Sequence, residues 1–262
     1  MSYILVTNDD GVDSLSLPPL ARSLQARATV HVAAPAVERS WIGKAISRFE
    51  EVPVKEVERD GIAMMSVAGY PADAVQLGMY NLFEGAVEMV VSGVNIGANF
   101  GSAYYAGSGT VGAALEAGIA GVPAFAFSVV NVGHFKEWAS HMRTPESIPD
   151  WERYAETSAA IVDEVMEAGF PEGDTILTVN MPAEVTVSTR RRVTHIADTT
   201  YGQLFKEQSP GIYRHDWLSD MEVTDRMWGS DIQVVANGEI AVTPVRIASA
   251  SVESAQLRDL WD

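Results

Sequence analysis

Two aspartates stand side by side at positions 9 and 10, after the apolar run Tyr3 to Thr7 and before Gly11. Asn, Asp and Gly are common turn residues, so ILVTNDDGV at residues 4–12 reads about equally well as a polar turn or as a site for a cation. Alternate strand residues point to opposite faces, so the two carboxylates can aim at one point only once the backbone turns at Gly11. Hard oxygen ligands without imidazole or thiolate suit Mg²⁺, Mn²⁺ or Ca²⁺ better than zinc. A second stretch, GVNIGANFGSAYYAGSGTVGAALEAG at residues 93–118, carries glycine at 93, 97, 101, 107, 109 and 112, the last opening a run of small helix-forming residues. Glycines let backbone amides approach a ligand, and the free amides of a helix N-terminus bind phosphate, here with the hydroxyls of Ser108 and Thr110 beside them. The bland alternative is close packing of a small-residue helix on a sheet. Neither common nucleotide fingerprint fits: no G-x-G-x-x-G follows the first strand, and Gly43-Lys44 lacks the rest of a P-loop. A divalent cation facing a phosphate-binding helix terminus is equipment for hydrolysing a phosphate monoester without a covalent intermediate.

The elements that must position these residues read as alternating strands and helices. Tyr3 to Thr7, Val30 to Ala34, Val87 to Val91 and Ala124 to Ser128 are short apolar strands; Leu17 to Leu24, Pro71 to Leu82 and Gly109 to Ala120 have helical spacing. Continuous apolar strands alternating with helices predict an α/β fold with a doubly wound, mostly parallel sheet covered on both faces. Trp151 to Ala168 reads as a long amphipathic helix and Thr175 to Val179 as one more buried strand. After Val185 the pattern turns to shorter β-rich pieces, with a hairpin expected at Ile232 to Thr243 around Asn237-Gly238 and a final helix at Ala250 to Leu260. No repeat or low-complexity linker interrupts the chain, so a single domain over 1–262 is expected, with an α/β core at 1–184 and a β-rich extension used in assembly at 185–262. In a doubly wound sheet ligands collect beyond the carboxyl ends of the strands where strand order reverses. Three segments end there: Asn8-Asp9-Asp10-Gly11, Glu38-Arg39-Ser40 and Ser92-Gly93-Val94-Asn95.

The formal net charge of −17 argues against binding a nucleic-acid polymer. Four lysines against fourteen arginines, with 35 acidic residues spread along the chain, is similar to the composition of proteins from salt-loving organisms, where ionic strength screens self-repulsion. Cysteine is absent, which excludes thiolate metal sites and a cysteine nucleophile. With no signal-peptide pattern and no run of membrane-spanning length, the expectation is a soluble cytoplasmic protein without a membrane partner.

ILVTNDDGV at 4–12, AAPAVERS at 33–40, VVSGVNIGANFG at 90–101 and SGTVGAALEAGIAGVPAFAFS at 108–128 together resemble the SurE family of survival proteins, metal-dependent 5′/3′-nucleotidases. Weaker agreement continues through LTVNMP at 177–182, SPGIYRHDW at 209–217 and GSDIQVVANGEIAVTPV at 229–245. The resemblance implies a Rossmann-like core, a nucleoside monophosphate as substrate, and one divalent cation per subunit, Mg²⁺ or Mn²⁺, held by Asp9, Asp10, Ser40 and Asn95. It further implies catalytic roles for Asp9, Asp10 and Asn95, phosphate contacts from Asn95, Ser108, Gly109 and Thr110 with Asn8 and Gly43 close by, and a homodimer or homotetramer in which the β-rich part reaches a neighbouring subunit. Two segments depart from the family pattern: Trp41-Ile42-Gly43-Lys44 after Ser40, where small residues are common, and Tyr104-Tyr105-Ala106-Gly107 before Ser108, with the aromatic moved back. They leave a noncatalytic nucleotide binder, or a phosphatase for a non-nucleotide ester or short polyphosphate, as alternatives.

His134 and His141 lie seven apart but have no carboxylate at ligand spacing, and a surface loop accounts for them. Arg190-Arg191-Arg192 is the one basic cluster, and local ion pairing is its expected use. Trp138, Trp151, Trp217 and Trp228 are expected in core or subunit contacts, whereas Trp41 directly follows a presumed ligand.

Overall fold

The apolar runs become strands of one twisted sheet, described by a computed structural model over residues 2–173, 175–215 and 221–247. In chain order the elements are β1 (Ser2–Thr7), α1 (Leu17–Gln25), β2 (Thr29–Pro35), β3 (Val54–Arg59), β4 (Ile62–Val67), α2 (Pro71–Tyr80), β5 (Ala86–Ile96), α3 (Gly101–Gly107), α4 (Gly109–Ile119), β6 (Ala124–Val130), α5 (Phe135–His141), α6 (Ile148–Ala168), β7 (Thr175–Pro182), β8 (Arg191–Val193), β9 (Asp198–Tyr201), β10 (Phe205–Ser209), β11 (Ile212–His215), β12 (Met221–Asp225), α7 (Asp231–Ala236) and β13 (Ile240–Arg246). Among the described residues nine strands pair in the order β3-β4-β2-β1-β5-β6-β7-β13-β8, and β10-β11 and β12-β9 form two separate ribbons. The six strands from β4 to β7 are mutually parallel, with antiparallel β3 and β13 flanking them. Strand order reverses between β1 and β5, so the crevice beyond their carboxyl ends is where a ligand site belongs.

Period-two alternation along β1 sorts its side chains between two cores. Ile4 and Val6 join Leu17, Leu20, Trp151 and Tyr154 under α1 and α6, while Tyr3 and Leu5 join Val75, Val111 and Ala114 under α2 and α4. β6 repeats the pattern, with Phe125 and Phe127 in the first cluster and Ala124 and Ala126 in the second. Small residues on α4 let that helix lie close to the sheet, and Pro18 and Pro19 open α1, where a missing N–H costs nothing.

Several elements differ from the sequence reading. Residues 232–243 form no hairpin: Ser230 caps α7 by accepting from Gln233 N, and the Asn237-Gly238 turn leads into β13. An Asn-Gly pair serves a helix C-terminus as readily as a hairpin, which is why the turn signal misled. β5 runs on past Val91 to Ile96, with its register to β6 shifting between Ser92 and Asn95, so Asn95 belongs to the strand rather than to a loop beyond it. α3 folds from GSAYYAG, read as glycine-rich loop, and the β3-β4 hairpin was not anticipated. His134 caps α5 and His141 ends it, where a loop was expected. β13 and β8, from the expected extension, complete the main sheet. The final helix expected at 250–260, and Trp217, lie outside the described residues.

Candidate functional site

The two aspartates follow closely on the end of β1 at Thr7. Asp9 turns toward the α4 side and lines a cavity of about 490 Å³ together with Ser40, Asn95 and Ser108. Asp10 lines a smaller cavity of about 180 Å³ with Glu38, Leu15, Met142 and Arg143. The two carboxylates nevertheless lie close enough for the Asp9 charge to raise the Asp10 carboxyl. β1 ends at Thr7, so both aspartates stand on the bend beyond it, and Ile96 lines both cavities.

Asn8 makes that turn. Its Nδ2 donates to Gly11 O and its Oδ1 accepts from Gly11 N, each at 3.1 Å, while Gly11 sits at φ +91° with Val37 C only 2.9 Å from where a Cβ would be. A side chain there would meet both strain and backbone.

Asp9 is 4% exposed and receives the Thr110 hydroxyl on Oδ1 at 2.6 Å. The Thr110 N–H also donates to it, so this carboxylate occupies part of the positive N-terminus of α4. Gly109 makes the approach possible: a Cβ would fall 2.8 Å from Asp9 Cβ and 2.9 Å from its Oδ2. Burial nevertheless holds the Asp9 carboxyl above the usual carboxylate range, against the pull of the Thr110 bonds. Asp10 is raised further, first by burial and then by the charges of Asp9 and Glu38, with Arg143 opposing. Its Oδ2 is sealed from solvent and lacks a hydrogen-bond partner. A buried, mutually repelling pair with an orphaned oxygen is the environment a cation would relieve.

Ser40 Oγ donates to Glu38 Oε1 at 2.7 Å, and Arg143 Nη2 reaches the same oxygen at 3.4 Å. Asn95 Nδ2 is spent on Gly97 O at 2.9 Å, which leaves its oxygen as the end available to a cation or a proton donor. Ser108 caps α4 by accepting from Val111 N at 3.1 Å. Of the residues expected from the sequence, Asp9, Ser40, Asn95 and Ser108 share the larger cavity. Asn8, Asp10, Gly43, Gly109 and Thr110 do not line it. Gly43 N donates to Gly107 O at 2.9 Å and so is engaged with backbone. Among the described residues no three His, Asp or Glu side chains form a group that could hold a metal, so a cation here would rest on two carboxylates and neutral oxygens. That donor set fits Mg²⁺ or Mn²⁺.

Three supporting residues were missed in the sequence, although Asn180 and Asp231 lie in the segments 177–182 and 229–245 that resemble the family. Arg143 reaches Glu38 from the turn after α5, a contact no motif encodes. Asn180, from LTVNMP, accepts Asn99 N at 2.9 Å and steadies the cavity wall. Asp231 is buried and accepts from Gly101, Ala197 and Ile232 N–H groups, fastening the start of α3.

The family model for the survival protein SurE matches residues 4–203. The chain belongs to the SurE family. Curated relatives include a 5′-nucleotidase SurE from Methanocella arvoryzae, 32% identical over 270 aligned residues and covering all of both chains. Another, from Archaeoglobus fulgidus and of the same name, is 34% identical and covers 95% of this chain and 94% of its own. Among solved structures, the SurE protein from Aquifex aeolicus superposes with a TM-score of 0.72 at 26% identity, covering 99% of this chain and 98% of its own. The SurE fold expected from the first four sequence blocks is thus the fold observed. Among the described residues, no helix is long and apolar enough to cross a membrane.

Proposed function

We propose that this SurE-family chain is a divalent-cation-dependent phosphomonoesterase that hydrolyses nucleoside monophosphates to nucleoside and phosphate. The observation that carries the reading is Asp9, a buried carboxylate held by α4 at the topological switch point and open to a cavity lined by Ser40, Asn95 and Ser108. The nucleotidase names of relatives similar over the whole chain supply the substrate class.

A single Mg²⁺ or Mn²⁺ per subunit, held by Asp9, Asp10, Ser40 and Asn95, would lower the pKa of an attacking water and neutralise charge on the phosphoryl oxygens. The chain's own residues do the rest. Thr110 keeps Asp9 ionised and aimed; Glu38 takes the Ser40 hydroxyl proton as a hydrogen bond, turning the oxygen's lone pairs outward. Asn95 and Ser108 orient the phosphate in the cavity, and the remaining free amides at the α4 N-terminus favour its charge. Asp9 or Asp10 would also orient or deprotonate the attacking water.

The assembly reading, a homodimer or homotetramer, is supported by the β10-β11 ribbon. A lone two-stranded ribbon is marginal in water, and Phe205, Ile212 and Tyr213 are 53%, 62% and 60% exposed on it. A neighbouring subunit would cover them.

The test is phosphate release from AMP with Mn²⁺ or Mg²⁺, repeated with chelator and with Asp9→Asn, which deletes charge at nearly constant volume. The reading expects turnover abolished by chelator and reduced at least about 100-fold in the variant. Tight AMP binding with no release from the intact protein would overturn it in favour of a noncatalytic binder.

A further inference from the structure

Trp41 sits in a backbone conformation that bulky residues rarely adopt, with φ at +58°. Such a conformation persists only where the surroundings over-determine it. Here they do. Gly43 N is bonded to Gly107 O, Lys44 pairs with the buried Glu116 of α4, and Ser47 binds Asp73 of α2 through both its N–H and its hydroxyl. The indole is met near-perpendicularly by three rings: Tyr104 at 5.6 Å and 89°, Tyr201 at 5.7 Å and 70°, and His215 at 4.9 Å and 71° between centroids and planes. Gly107 leaves it room, since a Cβ there would lie 3.3 Å from indole Cε3.

Burial is not what these contacts achieve. Trp41 remains 38% exposed and lines the larger cavity beside Ser40. A large aromatic surface is therefore immobilised, in an unfavourable backbone state, next to the oxygen donors proposed to handle phosphate. The cavity's volume of about 490 Å³ falls within the range of small-molecule sites. Phe100, Val130 and Phe135 add apolar wall to the same cavity, a surface that neither a cation nor free phosphate would use.

We propose that Trp41 is a specificity-determining residue: its indole stacks on the base of the nucleoside monophosphate whose phosphate lies among Asp9, Asn95 and Ser108. The proposal rests on the nucleotidase reading and adds the group that distinguishes a nucleotide from other phosphate esters. Stacking is tolerant of base identity because every base has a π-face, so the gain is for having a base, with purines favoured by their larger area.

The experiment compares wild type, Trp41→Ala and Trp41→Phe on AMP and on ribose 5-phosphate, which has the ester and the sugar but no base. The ratio of kcat/KM for AMP to that for ribose 5-phosphate should fall about tenfold in Trp41→Ala, through KM, and by less than about threefold in Trp41→Phe. An unchanged ratio, with both substrates losing equally, would make Trp41 a packing residue and overturn the proposal. Indole emission titrated with AMP gives a readout that needs no turnover. Quenching in wild type that is lost in Trp41→Ala supports the assignment even if AMP is not hydrolysed, in which case the nucleotidase reading alone fails. Quenching that survives in Trp41→Ala, or none in wild type, overturns the assignment.

Discussion

Replacing Thr110 by valine removes one hydroxyl from the site and changes little else in volume. That hydroxyl donates to Asp9 Oδ1 at 2.6 Å in a buried setting. A hydrogen bond to a charged group contributes roughly 1.5–3 kcal/mol, and about 1.36 kcal/mol corresponds to one pH unit. The Asp9 carboxyl, already held above the ordinary range by burial, should therefore titrate about one to two pH units higher in the variant. The Thr110 N–H still donates to Asp9, which places the expected shift toward the lower end. Asp9 must be ionised to hold a cation, so a higher pKa lets protons compete better. At neutral pH the variant should need more Mn²⁺ for half-maximal activity, and the acid limb of kcat/KM for AMP should move upward. The assay is kcat/KM from about pH 5 to about pH 9 at fixed subsaturating Mn²⁺, with Thr110→Ser as the rescue. Superimposable profiles for wild type and Thr110→Val would refute the idea that this hydroxyl sustains the charge on Asp9.

Gly109→Ala places a methyl group 2.8 Å from Asp9 Cβ, so Asp9 must move. We expect kcat/KM to fall on the order of tenfold or more while Tm changes by only a few degrees in a thermal melt, since small misplacements cost catalysis more than overpacking costs stability. In metal-free protein the folded Asp9 and Asp10 bind protons more tightly than their unfolded counterparts. Stability should thus rise as pH falls from about 8 toward about 4, Asp10→Asn should flatten that rise, and excess Mn²⁺ should cancel it in calorimetry. With a net charge of −17, Tm and activity should both increase from low to molar KCl, and full activity at low salt would end the salt-loving interpretation.

The parallel core was legible because its strands are apolar without interruption and its helices are periodic. Ala124 to Ser128 and Trp151 to Ala168 needed no tertiary information to be assigned. The 232–243 segment failed because Asn237-Gly238 is compatible with two turns, and only the packing of Val234 and Val235 beside Phe100 selects the helical one. At the site, spacing located Asp9, Ser40, Asn95 and Ser108 near one cavity, since each follows or ends a parallel strand or opens a helix. Their partners were illegible. Arg143 meets Glu38 across 105 residues, and Asp231 meets Gly101 across 130, so neither pairing leaves a local pattern.

Anomalous scattering from a crystal of the protein soaked in Mn²⁺ tests the coordination claim most directly. One peak in contact with oxygens of Asp9, Asp10, Ser40 and Asn95, lost in Asp9→Asn, is the predicted result. A map with no manganese in contact with the Asp9 and Asp10 carboxylates would contradict it.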